Sequence, residues 1–170
     1  MLNFKQRLTK ISTLMFDIDG VMTDGKVLVM ESGEMVRNIY SKDGYAINQA
    51  VNKGYRIVII SGGNNVAIKS ALSRNGVTDV FIRQHDKLAC YKEYLQTHNL
   101  KDEEVLFMGD DLPDHEIMIR TGVAACPNDA AIEIKEICHY ISPRNGGEGC
   151  VRDIIEQVMR VQGKWAIEKW

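Results

Sequence analysis

Short apolar runs alternate along this chain with segments of helical spacing, and the strongest runs stop abruptly at glycine, serine or aspartate. Thr13-Leu14-Met15-Phe16 gives way to Asp17-Ile18-Asp19-Gly20, Arg56-Ile57-Val58-Ile59-Ile60 to Ser61-Gly62-Gly63, and Val105-Leu106-Phe107-Met108 to Gly109-Asp110-Asp111. Apolar runs bounded in this way read as buried strands. Val80-Phe81-Ile82 is a shorter strand candidate, and Val123-Ala124-Ala125 and Tyr140-Ile141 are weaker ones. Helices are expected between them. One opens at Asp43-Gly44 and places Ala46, Ile47, Ala50 and Val51 on one face; others span 64–75 and 87–98. The last runs over about 150–161, with Val151, Ile154, Ile155 and Val158 at helical spacing. Such alternation implies an α/β fold, a doubly wound parallel sheet with helices on both faces and right-handed crossovers. The 170 residues contain no linker, repeat or low-complexity segment, so one domain over 1–170 is expected. One segment breaks the pattern. Residues 26–30 and 34–40 are β-rich runs around Glu31-Ser32-Gly33, and they read as a β-hairpin inserted after the first strand.

Composition excludes several classes. With 45% hydrophobic and 26% charged residues the chain is of ordinary globular character. A net charge of -2 gives no basic footprint for nucleic acid or an anionic membrane. No stretch reaches the length of a membrane span, and residues 1–10 lack a signal-peptide core, so a cytoplasmic protein is expected. Cys90, Cys126, Cys138 and Cys150 form no CxxC pair and suggest buried free thiols, not zinc ligands or disulfides.

In a parallel sheet, ligands bind beyond the carboxyl ends of the strands. The expected topology would bring Asp17, Asp19, Ser61, Gly62, Asp110 and Asp111 to one edge. On an extended backbone Asp17 and Asp19 would face the same side. Clustered carboxylates are costly to bury without a cation or a reaction. Hard oxygen donors without histidine suit Mg²⁺, which usually shares its coordination with a substrate phosphate. Ser61 before a helix suits a phosphate oxygen, and Lys87 at the start of another helix could add positive charge. One carboxylate could then attack phosphorus while a second moves the proton.

Each piece alone is weak. Asp-x-Asp-Gly can open a calcium loop, but Val21 offers no ligand at the next odd position, and a strand precedes it instead of a helix. Gly109-Asp110-Asp111 alone could be a capped turn, Ser61-Gly62-Gly63 a loop and Lys87 a solvated helix residue. Their joint occurrence, in order, at strand ends carries the functional reading.

Asp17-Ile18-Asp19-Gly20-Val21, Ser61, Lys87 and Gly109-Asp110-Asp111-Leu112-Pro113-Asp114 resemble the ordered motifs of the haloacid dehalogenase superfamily of phosphatases. The early Asp-Gly-Val-x-Thr-Asp-Gly with its hairpin, Lys42-Asp43-Gly44-Tyr45, and the late segment Gly146 to Arg152 resemble its small branch without a cap domain. That branch acts on sugar-acid phosphates, octulosonate 8-phosphate and nonulosonate 9-phosphate, and the chain is most similar to the octulosonate members. The resemblance implies Asp17 as nucleophile and Asp19 as general acid/base. It implies Mg²⁺ held by Asp17, the Asp19 carbonyl and Asp110, with Asp111 supporting the metal's water shell. Ser61, Gly62 and Lys87 would hold the phosphate, with Asp114 orienting Lys87. It also implies a homotetramer in which the hairpin supports association and a neighbour helps cover the site.

Two departures bear on the substrate. Asn64-Asn65 stands where octulosonate phosphatases often carry a basic residue, and Gly63 where the nonulosonate relatives carry an acidic one. A sugar-acid carboxylate needs a cation, and Arg152, in the glycine-rich segment, is favoured over Arg144 and Lys69. A phosphatase for another small ester, a phosphotransferase, and a binding oligomer without turnover are the alternatives. Intact Asp17, Asp19, Lys87 and Asp110 argue against the last. The tail 165–170 could fold over a site or pack at an interface.

Overall fold

A computed structural model describes residues 2–64 and 66–166. A short helix, α1 (Phe4–Leu8), leads into β1 (Thr13–Phe16). The hairpin strands β2 (Leu28–Val29) and β3 (Met35–Val36) follow, and then α2 (Ser41–Asn52), β4 (Arg56–Ile60), α3 (Val66–Ser73), β5 (Asp79–Phe81) and α4 (Lys87–His98). The second half contains β6 (Val105–Met108), α5 (His115–Met118), β7 (Val123–Cys126), α6 (Ile132–Ile137), β8 (Tyr140–Ile141) and α7 (Cys150–Val161). The main sheet has six strands in the order β5-β4-β1-β6-β7-β8, every neighbouring pair parallel. This is the expected doubly wound α/β fold. Between β1 and α2 the hairpin stands where a cap would be inserted, and no cap domain is present among the described residues.

Period-two alternation in the strands feeds two cores. Leu14, Phe16, Ile57, Ile59, Leu106 and Met108 face α1, α2, α3 and α7. Met15, Val58, Ile60, Val105 and Phe107 face α4, α5 and α6. Strands buried on both faces read as continuous apolar runs, which is why β1, β4 and β6 were legible. In register, Phe16 pairs with Ile59 on one side and Met108 on the other. The chain leaves β1 towards β4 and β5 on one flank and reaches β6 to β8 on the other, so a crevice opens at the end of β1.

Several boundaries differ from the sequence expectation. The hairpin pairs only Leu28–Val29 with Met35–Val36, closed by Met30 N–H donating to the Glu34 carbonyl. The helix expected over 64–75 is described from Val66 to Ser73, and Asn65 lies outside the described residues. Helix α1 was not anticipated, although Asn3 and Gln6 form a reciprocal capping box that the sequence spells out. All four cysteines are free thiols; Cys126 and Cys150 are buried as expected, whereas Cys90 and Cys138 are half-buried.

Candidate active site

The site grows out of the ends of β1, β4 and β6. Asp17 follows β1 and is 7% exposed, its N–H bonded to the Met108 carbonyl. Ser61 follows β4 and is buried, anchored by its N–H to the Phe81 carbonyl. Lys87 is the first residue of α4, which the Asp86 carboxylate caps through the Ala89 N–H. Its ammonium lies 2.9 Å from Asp17 Oδ2 and 2.8 Å from Asp114 Oδ1. The second oxygen of Asp114 accepts from the Asp110 N–H. The structure thus brings Asp17, Lys87, Asp110 and Asp114 together and places Asp19, Ser61, Gly62 and Asp111 on the wall of the same cavity, of about 860 Å³.

Glycine makes the approach possible. Gly20 has φ +87° and a Cβ there would overlap the Asp110 carboxylate, so the turn after Asp19 needs both the left-handed backbone and the missing side chain. The backbone past Asp17 therefore turns instead of staying extended, and Asp19 reaches the cavity from a loop.

Three carboxylates facing one lysine leave excess negative charge. Burial, then repulsion from Asp114, pushes Asp17 up to about 7 against the pull of Lys87. Burial, then the charges of Asp17, Asp114 and Asp111, pushes Asp110 up to about 8. Burial alone would lower Lys87, but the Asp114 and Asp17 carboxylates outweigh it and hold the ammonium charged. Carboxylate oxygens of Asp17, Asp110 and Asp114 lie within 4.8 Å of one another, and the buried Asp17 Oδ1 has no hydrogen-bond partner among the described residues. An orphaned buried oxygen beside further carboxylates, with no histidine or thiolate among them, is the donor set of a Mg²⁺ centre. A divalent cation there would reverse the direction of the carboxylate shifts.

Other residues fall differently. Asp111 is exposed and caps the turn at Leu112 through its own side chain, at the rim of the cavity. Arg152 does not line the cavity. Its guanidinium pairs with Glu156 at 2.7 Å and lies 5.5 Å from the ring centroid of Tyr45 and 5.8 Å from that of Trp165. The glycine-rich segment that suggested Arg152 has another role: a Cβ at Gly146 would overlap the Gly20 carbonyl, and Gly147 N–H donates to the Val21 carbonyl. Its glycines seat the loop behind Asp17, while the first turn of α7 carries Arg152 away towards Tyr45. Trp165 packs edge-on against Tyr45 on that same surface; residues 167–170 lie outside the described residues.

Two residues were not read as site residues from the sequence, although Thr23 is the threonine of the quoted Asp-Gly-Val-x-Thr-Asp-Gly motif. Thr23 is fully buried, and its hydroxyl accepts from Gly25 N–H at 3.2 Å and lies 3.4 Å from Asp19 Oδ1. Arg37, just beyond β3, reaches Asp19 with both ends of its guanidinium fork. Neither shows a periodic signal, because both act from loops.

An α/β sheet with a buried aspartate at its first strand end, a lysine bridging two carboxylates and a Mg²⁺ donor set defines a class of hydrolase. The chain belongs to the haloacid dehalogenase-like hydrolase family, whose model matches residues 63–154. It is 31% identical over 159 residues to the 3-deoxy-D-manno-octulosonate 8-phosphate phosphatase KdsC of Yersinia pestis, a match covering 94% of this chain and 85% of that protein. The crystal structure of the Y. pestis phosphatase superposes with a TM-score of 0.92 at 31% identity, covering 94% of this chain and 86% of that one. A Moraxella catarrhalis phosphatase of the same name, solved with magnesium, phosphate and KDO, shares the fold at a TM-score of 0.91 and 23% identity, covering 94% and 91%. This kinship makes the chain an enzyme of the phosphatase class.

Proposed function

We propose that this protein, a single domain over residues 1–170, hydrolyses a sugar-acid phosphate, 3-deoxy-D-manno-octulosonate 8-phosphate, through an aspartyl-phosphate on Asp17. The observation that supports this reading most directly is Lys87 Nζ held between Asp17 and Asp114 beside Asp110, at the end of β1. Kinship with the Y. pestis enzyme along nearly the whole chain supports the substrate.

In the first step the Asp17 carboxylate forms a bond to phosphorus as the ester P–O bond breaks, and Asp19 delivers a proton to the departing sugar oxygen. In the second, Asp19, now a carboxylate, takes a proton from the water that attacks phosphorus, releasing phosphate and restoring Asp17. Ser61, Gly62 and Lys87 hold the phosphoryl oxygens and compensate their charge. Bound Mg²⁺, held by Asp17, the Asp19 carbonyl and Asp110 with Asp111 supporting its waters, supplies further positive charge to the phosphoryl group. Asp114, anchored by the Asp110 N–H, keeps Lys87 aimed at Asp17.

The reading includes a homotetramer in the cytoplasm. No helix among the described residues is long and apolar enough to cross a membrane. Association is supported by the hairpin, where Leu28, Val29 and Met35 are 64%, 67% and 59% exposed. The test is phosphate release with Mg²⁺ over a panel of sugar and sugar-acid phosphates. A preference for the octulosonate ester is expected; equal rates on all esters would remove the substrate assignment, and no release on any would remove the reaction.

A further inference from the structure

We propose that Arg37, carried on the hairpin, positions Asp19 for proton transfer; the inference rests on the acid/base reading of Asp19 given above. Arg37 Nε donates to Asp19 Oδ1 at 2.6 Å and a terminal guanidinium nitrogen donates to Oδ2 at 3.3 Å. A fork that engages both oxygens fixes the plane of a carboxylate as well as its distance, which a lysine or a hydroxyl cannot do. The Thr23 hydroxyl also approaches this carboxylate, at 3.4 Å from Oδ1.

The surroundings favour a fixed pair over a chance surface contact. The Arg37 side chain is 12% exposed and that of Asp19 31%, so water and salt screen the pair less than they would two solvated chains. Arg37 does not line the catalytic cavity, whereas Asp19 does. The guanidinium therefore grips Asp19 from the hairpin side and leaves its other face turned to the cavity. Asp19 also sits beyond β1, on a loop that turns at Gly20, so the sheet itself does not set its side chain. Orientation must come from a neighbour, and the hairpin supplies one. Arg37 neither gains nor loses a proton in either step; it aims the group that does.

The experiment compares wild type with Arg37→Ala, Arg37→Gln, which keeps the stem and so guards the hairpin fold, and Arg37→Lys. Each is assayed with Mg²⁺ on an alkyl phosphate of the sugar type and on p-nitrophenyl phosphate. The alkyl ester needs a proton on its leaving oxygen; the nitrophenolate does not. kcat/KM reads the steps up to departure of the leaving group. Arg37→Ala and Arg37→Gln are expected to lose at least ~10-fold more kcat/KM on the alkyl ester than on the aryl ester, with Arg37→Lys between them and wild type. Equal losses on both esters, or no loss, would overturn the proposal. Crystal structures of wild type and Arg37→Gln supply a readout apart from turnover. A displaced or rotated Asp19 carboxylate is expected, and an unmoved one would overturn the proposal whatever the rates. Were wild type itself to release phosphate from neither ester, the phosphatase reading would fall, and the structures alone would decide whether Arg37 positions Asp19.

Discussion

At the smallest scale, Asp17 is the proposed nucleophile and Lys87 the cation proposed to hold the phosphoryl group. Asp17→Asn keeps the volume and removes the charge, so turnover is expected to fall by roughly 10³-fold or more with the fold intact, checked by phosphate release and circular dichroism. Survival of turnover in pure protein would contradict the nucleophile. Lys87→Met has a different signature: it strips the cation from between Asp17 and Asp114, leaving two carboxylates buried and unneutralised. Breaking a buried pair in this way costs about 3–5 kcal/mol, so the metal-free variant is expected to melt well below wild type, with Mg²⁺ recovering part of the loss. A melting point equal to wild type would show that the buried charges are compensated from elsewhere. These residues were legible because each is a polar group set directly against an apolar run or a helix start. Arg37 was not. It meets Asp19 from a loop beyond a two-residue strand, and no spacing rule connects the two positions.

Among the elements, α7 docks on α2 and carries Arg152, the residue favoured for the substrate carboxylate, on a surface outside the cavity. The Arg152 N–H donates to Asp43 Oδ1 at 2.8 Å, so Asp43 caps α7 from the first turn of α2. The Arg152 side chain is spent on Glu156 and the aromatic surface of Tyr45 and Trp165. Arg152→Ala is accordingly expected to lower the melting temperature by a few degrees while changing KM for sugar-acid and aryl phosphates alike, within about twofold. A selective rise in KM for the sugar acid would return Arg152 to the substrate. Asp43 gives a pH signature. Burial, countered by the Arg152 N–H and charge, pushes it up to about 6, and its Oδ2 has no partner among the described residues. The folded state thus holds this proton more tightly than the unfolded chain. Its contribution to stability is complete below pH ~4 and is lost as pH rises through about 6. Asp43→Asn keeps the carbonyl oxygen for Arg152 N–H and removes the titration. The stability difference between variant and wild type, from denaturant titrations, is expected to grow in the variant's favour between pH 4 and 6; a constant difference would show that Asp43 does not titrate there.

For the whole molecule, the hairpin is the part that the single chain leaves unexplained. Its apolar residues point to solvent although both faces of the main sheet are packed against helices. A two-stranded ribbon of this kind is marginal alone, and each covered Leu or Met contributes on the order of 2 kcal/mol. Leu28→Lys with Met35→Glu is expected to give a monomer in light scattering where wild type gives the proposed tetramer, without changing helix content; an equal mass for both would remove the hairpin from the proposed interface. The fold was readable from alternation alone, since buried parallel strands announce themselves by composition. Long-range packing was not, because glycines at 146 and 147 carry no sign of what they touch. Those glycines have a consequence for how the enzyme comes into being. Asp17, Asp19, Lys87, Asp110, Asp111 and Asp114 are all synthesised by residue 114, yet the backbone that shapes the Asp17 loop is buttressed by residues 146 and 147 and by the Cys150 thiol on the Val21 carbonyl. A growing chain that has these side chains in place still lacks the wall behind Asp17. A chain that stops before residue 146 is therefore expected to release no phosphate.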